Sequence, residues 1–296
     1  MPVTPEFFSF LVENRLHDSK AWFQDHREEY NRLVLEPMRN LVREMAPAML
    51  AIDPQLITQP AVGKTISRIY RDTRFSRDKS AFREHLWISF SRGKAERFAP
   101  VPEFYFDLGP EGYEYGCGWY SPGTELMETL RQLILAGDKT AKAALGAAKK
   151  QSLFCLEGEE YRRKKHPEAP EELQPWLNRK NIYFSRRGCQ PDFLYAPDLG
   201  ARVAEQLTVL TPVYQLFWKA QQTARRWRRN GEGGKDHGTS QTGGGIPHHP
   251  GTDCHGPGHQ WQQAAFWGPA AGMGGCGGRC HRPAPLPGGG DYRRHR

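Results

Sequence analysis

The sequence predicts an α+β fold in which an antiparallel-rich sheet packs with N- and C-terminal helices and is followed by a disordered tail. Three observations support this. Apolar residues recur at helical spacing over residues 5–50, residues 66–120 change to β-branched and aromatic runs broken by Gly and Pro, and helical spacing then returns as far as residue 226. Helices, a block of strands, then helices is the order of a sheet with helices gathered over one face. At Gly231 the composition changes abruptly: residues 231–296 hold 19 of the 31 glycines and 7 of the 11 histidines, with too few large apolar side chains for a core. Residues 1–230 therefore read as one α+β domain and residues 231–296 as the tail.

Thr4, Pro5 and Glu6 mark the first helix as N-cap, first-turn proline and first-turn acid, and Phe7, Phe8, Phe10 and Leu11 give it an apolar face. A second helix starts at Asp18 or Ser19 and carries Trp22, Phe23, His26, Tyr30, Leu33 and Val34, with Pro37 bending or restarting it ahead of Leu41, Val42 and Met45. His26 on that apolar face reads as a core histidine bonded through one ring nitrogen. Strands are predicted over residues 66–75, 86–90, 104–108 and 113–120, and the stretch Leu108-Gly109-Pro110-Glu111-Gly112 reads as a hairpin loop, so at least the last two strands are antiparallel. Ser121 and Pro122 start a helix with Leu126, Leu130, Leu133 and Ile134 on one face. An alanine- and lysine-rich helix follows over residues 138–150, then a strand over 181–186, and helices over 197–210 and 212–226 close the domain.

Several classes drop out. No apolar run approaches the ~20 residues that cross a bilayer, and no basic stretch leads into an apolar signal core, so a cytoplasmic protein without membrane contact is expected. Cys117, Cys155 and Cys189 are isolated, unlike the dense spacing of a secreted disulfide framework. Cys117 between two glycines reads as a small buried cysteine. Cys276, Cys280 and His281 lack the hairpin and helix that mount zinc ligands, and nothing else has the spacing of a metal or cofactor site.

Charge is concentrated in one place. Residues 64–94 carry nine basic against three acidic side chains, an excess of six that equals the whole excess of residues 1–230. A field of one sign concentrates anionic ligands. The candidate ligand-binding residues are Arg68, Tyr70, Arg71, Asp72, Arg74, Asp78, Lys79, Arg83 and His85, with Lys180, Arg186 and Arg187 as more distant additions. If the chain is extended here, Arg68, Tyr70, Asp72 and Arg74 share one face and Ile69, Arg71 and Thr73 the other. Arginine binds phosphate or carboxylate through a planar fork. Three readings stay open: a module for a phosphorylated or carboxylated small molecule, an enzyme with an arginine clamp and Asp72, Asp78, Tyr70 or His85 as acid–base groups, or a weak, salt-sensitive nucleic-acid binder. The competing, purely structural reading is that the arginines and aspartates pair with each other and hold a long loop.

The residues of this segment also carry a resemblance. Trp22, Phe23, Tyr30 and Pro37, the run from Ile66 to Ser80 with Arg77 at a variable position, then Phe82 and His85, resemble the motif block of domain-of-unknown-function family 2461, found in bacteria and some eukaryotes. Gly116-Cys117-Gly118-Trp119-Tyr120 with Pro122, and the run from Asn181 to Arg186, are similar to its later elements. The resemblance covers about residues 4–226 and implies a single α+β domain of unassigned function, with no catalytic residue to transfer. Beyond the last helix the chain departs from the family, and residues 231–296 read either as a frameshifted, non-native extension or as a genuine disordered one. Oligomeric state and reaction are not specified by the sequence.

Overall fold

A computed structural model describes residues 2–74, 76–93, 101–119 and 121–232, the last five by their backbone alone. The predicted tail beyond Glu232, and Phe75, Lys94 and Tyr120 of the predicted strands and charged segment, lie outside the described residues, while Gly231 and Glu232, assigned by sequence to the tail, continue the last helix. Thr4 is extended and Pro5 opens α1 (Pro5–His17), whose buried stripe is Phe7, Phe10, Leu11 and Asn14. Ser19 caps α2 (Lys20–Asp25) by accepting the Trp22 N–H at 3.3 Å. After α3 (Arg27–Tyr30) the chain stays helical through a π turn, Asn31–Leu35, into α4 (Glu36–Ile52). The α-helix restarts at Glu36 after the π turn, with Pro37 in its first turn as predicted. Pro37 has no N–H to donate, and the wider turn, in which the Glu36 N–H reaches the Asn31 carbonyl, accommodates it.

Among the described residues the strands are β1 (Leu86–Ser91), β2 (Pro102–Gly109), β3 (Gly112–Trp119), β4 (Cys155–Glu157) and β5 (Tyr183–Gly188). They form one sheet in the order β1-β2-β3-β5-β4 with every neighbour antiparallel. The β2–β3 hairpin turns through Pro110 and Glu111, as predicted. Strand alternation sends Leu86, Ile88, Phe90, Phe104, Phe106, Leu108, Tyr113, Tyr115, Cys117 and Trp119 to one face, where all are buried. Helix α4 packs there with α9 (Leu199–Thr208) and α10 (Thr211–Glu232), and α10 is backed by α5 (Thr124–Leu135) and α6 (Lys139–Lys150). Most of the buried apolar side chains form one cluster reaching from Val3 to Ala224. Short elements fill the connections: a 3-10 turn (Glu171–Leu173), α7 (Gln174–Leu177) and α8 (Pro191–Leu194). Among the described residues no helix is long and apolar enough to cross a membrane.

The other sheet face is polar. Register places Trp87, Asp107, Glu114 and Arg187 in one row across it, then Ser89, Tyr105, Gly116, Ser185 and Cys155, then Ser91, Glu103, Gly118, Tyr183 and Glu157.

The predicted strand over residues 66–75 is not regular. Its first part lies along the free side of β1, with the Ser67 N–H on the Trp87 carbonyl at 2.9 Å and the Ser89 N–H on the Thr65 carbonyl at 2.8 Å. Further on, Arg71 N–H bonds Ala81 O and Arg83 N–H bonds Ile69 O, both at 2.8 Å, so residues 69–71 and 81–83 are the legs of a loose hairpin and residues 72–80 its loop. Asp72 and Asp78 each accept a backbone N–H two residues on, from Arg74 and Ser80, which offers the chain local turns in place of a ladder. The predicted facing survives: Arg68, Tyr70, Asp72 and Arg74 are exposed, while Ile69 is buried and Arg71 and Thr73 half-buried.

Candidate functional site

The hairpin loop is held by side chains. Arg71 pairs with Asp78 and donates to Ser80 Oγ at 2.6 Å, and Asp78 also accepts from the Ser80 hydroxyl at 2.6 Å. Arg15, at the end of α1, reaches the same carboxylate at 2.9 Å, and Asp18 accepts the Ala81 N–H at 2.6 Å. The Ser80 hydroxyl and the Arg71 guanidinium hold Asp78 well below the usual carboxylate range. Asp72 is lowered too, by Arg74, which grips it with Nε at 2.9 Å and Nη2 at 2.6 Å. Lys79 donates to the Thr73 carbonyl at 3.0 Å.

What remains uncommitted is exposed. Arg68 lies beside Gly63, and neither it nor Arg77 has an acidic partner among the described residues. Tyr70 is 43% exposed, its ring resting on Phe23 and Phe82 at 5.6 and 5.0 Å. Arg71, Asp72, Arg74, Asp78 and Lys79 therefore close the loop, while Arg68, Tyr70 and Arg77 present outward from it.

The last two sequence-predicted residues sit where the hairpin joins the sheet. Arg83 and His85 precede β1 and reach Trp87 and Asp107, which pair across β1 and β2 on the polar face. Arg83 donates to the Tyr70 carbonyl at 3.3 Å and lays its guanidinium 4.8 Å from the centre of the Trp87 ring. His85 Nδ1 is 3.1 Å from Asp107 Oδ1. With Nδ1 as the donor, Nε2 is the free nitrogen. Asp107 is 5% exposed, and its Oδ2 is buried without a partner among the described residues. Its hydrogen bond with Asp107 raises His85, and burial raises Asp107 itself despite that bond. Gly109 makes room for the ring, because a Cβ there would fall on the Cγ–Nδ1–Cε1 edge of His85.

A further network on the polar face was not foreseen. Arg187 bridges Glu114 at 2.7 Å and Glu157 at 3.0 Å. Tyr105 donates to Glu114 at 2.9 Å, and Ser185 and Tyr183 donate to Glu157 at 2.7 and 3.2 Å. Burial raises Glu114 despite Arg187, and raises Tyr105 well above its ordinary value. Arg187 is thus locked into a structural ladder, while Lys180 pairs with Glu159 and Arg186 donates to Gln206, each at 3.1 Å. Strand alternation was the available signal: Tyr105 and Asp107 flank the core residue Phe106, and Glu114 lies between Tyr113 and Tyr115. Arg15 and Asp18 gave none, since they meet the loop across 63 residues of chain. Among the described residues no three His, Cys, Asp or Glu side chains converge as metal ligands would. Cys117 is fully buried, and His26 is half-buried, with Nδ1 2.8 Å from the Trp22 carbonyl.

Residues 6–216 match the family described as conserved hypothetical protein (DUF2461). No curated protein and no solved structure matches the chain.

Proposed function

The chain belongs to the conserved hypothetical protein family DUF2461, and from that premise we propose that it binds an anionic ligand, phosphorylated or carboxylated, on the segment that runs from Arg68 to Arg83. One observation carries this reading: in a segment whose aspartates are all engaged, the guanidinium groups of Arg68 and Arg77 are exposed and have no acidic partner among the described residues. The closed pairs support it as well. Arg71, Asp78, Ser80 and Arg15 fix the loop before any ligand arrives, which lowers the ordering cost of binding. Tyr70 adds an exposed ring beside them.

Calorimetry with inorganic phosphate and citrate tests the proposal. Arg68→Ala and Arg77→Ala are each expected to weaken binding by about 1–3 kcal/mol with little change in Tm. Unchanged affinity in the double variant would remove the reading.

A further inference from the structure

The corner where the arginine hairpin meets the sheet has the components of a more specific site. Arg83 lies over Trp87 and His85 bonds Asp107, the residue paired with Trp87 on the polar face, and the Arg83 charge also acts on Asp107. His85 is anchored by Nδ1 to Asp107, with its Nδ1 edge over Gly109, which leaves Nε2 on the opposite edge without a partner among the described residues. The anchoring carboxylate is more than nine-tenths buried and has one oxygen with no partner among those residues. A buried carboxylate in that state is costly unless its neighbour carries positive charge.

We propose that this corner takes up a small dianion together with a proton, the anion lying between the Arg83 guanidinium and the His85 Nε2–H, with Asp107 as the buried counter-charge that holds the imidazolium. The proposal rests on the anion-binding reading above and deepens it by naming the end of the segment that senses the ligand. Two donors of fixed direction suit a tetrahedral or planar oxyanion. In the neutral imidazole Nε2 is an acceptor and repels such a group, so binding and protonation are linked. The charged groups around His85 are Asp107 from β2, Glu111 from the hairpin turn, and Glu84 and Arg83 from its own segment. Asp107, foremost through its hydrogen bond, and then Glu84 and Glu111 raise His85, which favours the imidazolium that the anion requires.

Sulfate is the suitable probe, because its own charge is constant between about pH 5 and 9 while a histidine titrates. Calorimetry on the full chain in two buffers of different ionisation enthalpy should show proton uptake on binding, and affinity should fall up to ~10-fold per pH unit above the His85 value. His85→Gln should remove both proton uptake and the pH dependence. Gly109→Ala, which displaces the ring without altering any titratable group, should weaken sulfate binding and lower the pH at which affinity begins to fall. Sulfate binding that persists with no proton uptake and is unaffected by His85→Gln, yet is lost in Arg68→Ala with Arg77→Ala, would overturn the corner site and leave the broader reading intact. Absence of sulfate, phosphate and citrate binding at every pH would overturn both.

Discussion

Asp78 shows how a charged loop can be held by few atoms. Its carboxylate is shared by Arg71, Arg15 and Ser80, so removing it leaves the Arg71 guanidinium, only 17% exposed, with Ser80 and no acidic partner among the described residues. Asp78→Ala is expected to cost about 1–2 kcal/mol, and the Arg71→Ala, Asp78→Ala double variant less than the sum of the singles, as denaturant melts will show. Arg71 and Asp72, adjacent in sequence, have different partners, so their substitutions should add. The two titratable pairs respond to pH in opposite senses. Asp78 is depressed in the folded state, so its contribution is present above about pH 4 and is lost as pH falls through the folded value. His85 is raised, so its pairing with Asp107 contributes fully below about pH 6.5 and is lost as pH rises through the folded value. Tm measured from about pH 6 to 9 should decline, and His85→Gln should flatten that decline.

At the scale of elements, two glycines make opposite predictions. A Cβ at Gly116 on β3 would fall on the Phe184 carbonyl of β5, so Gly116→Ala must push these central strands apart and is expected to cost about 1–3 kcal/mol. Gly146 on α6 meets nothing within 4 Å, so Gly146→Ala should stabilise by up to ~1 kcal/mol in thermal melts. Elements whose apolar period stands alone were legible in the sequence: α1 by its proline and phenylalanines, β2 and β3 by alternation about a Gly-Pro loop, α10 by Val213, Leu216, Phe217 and Ala220. The run over residues 66–75 has the same alternation but is no ladder strand, because Asp72 and Asp78 draw the backbone into local turns. Its facing was readable and its pairing was not. The candidate site was legible to the same degree: the arginines announce themselves by charge, whereas the contacts of Arg15 with Asp78 and of Asp107 with His85 arise only through the fold. β4 escaped notice since three residues carry no period.

At the scale of the molecule, the contiguous core among the described residues ends at Ala224. A chain ending at Asn230 should therefore keep its Tm within a few degrees and its cooperative transition. Charge pairing also bounds any contact with nucleic acid. With Arg71 and Arg74 engaged and Arg68 and Arg77 uncommitted, the logarithm of an association constant for duplex DNA should fall with the logarithm of salt at a slope of about two, and independence of sequence is expected. A fluorescence titration at several salt concentrations measures it, and a slope several times steeper would show a larger basic footprint.

The way residues 65–67 lie on β1 bears on colloidal behaviour. Ser67 and Thr65 occupy hydrogen-bonding positions of the outermost strand, and immediately beyond them the chain turns away into the arginine hairpin. At the opposite margin β4 is three residues long. Neither edge offers a passing chain an unbroken row of free N–H and C=O groups, so the sheet resists growth by strand addition. Loosening the hairpin, for instance through Asp78→Ala, would uncover β1 as a template, and the first symptom would be aggregation on mild heating, ahead of global unfolding.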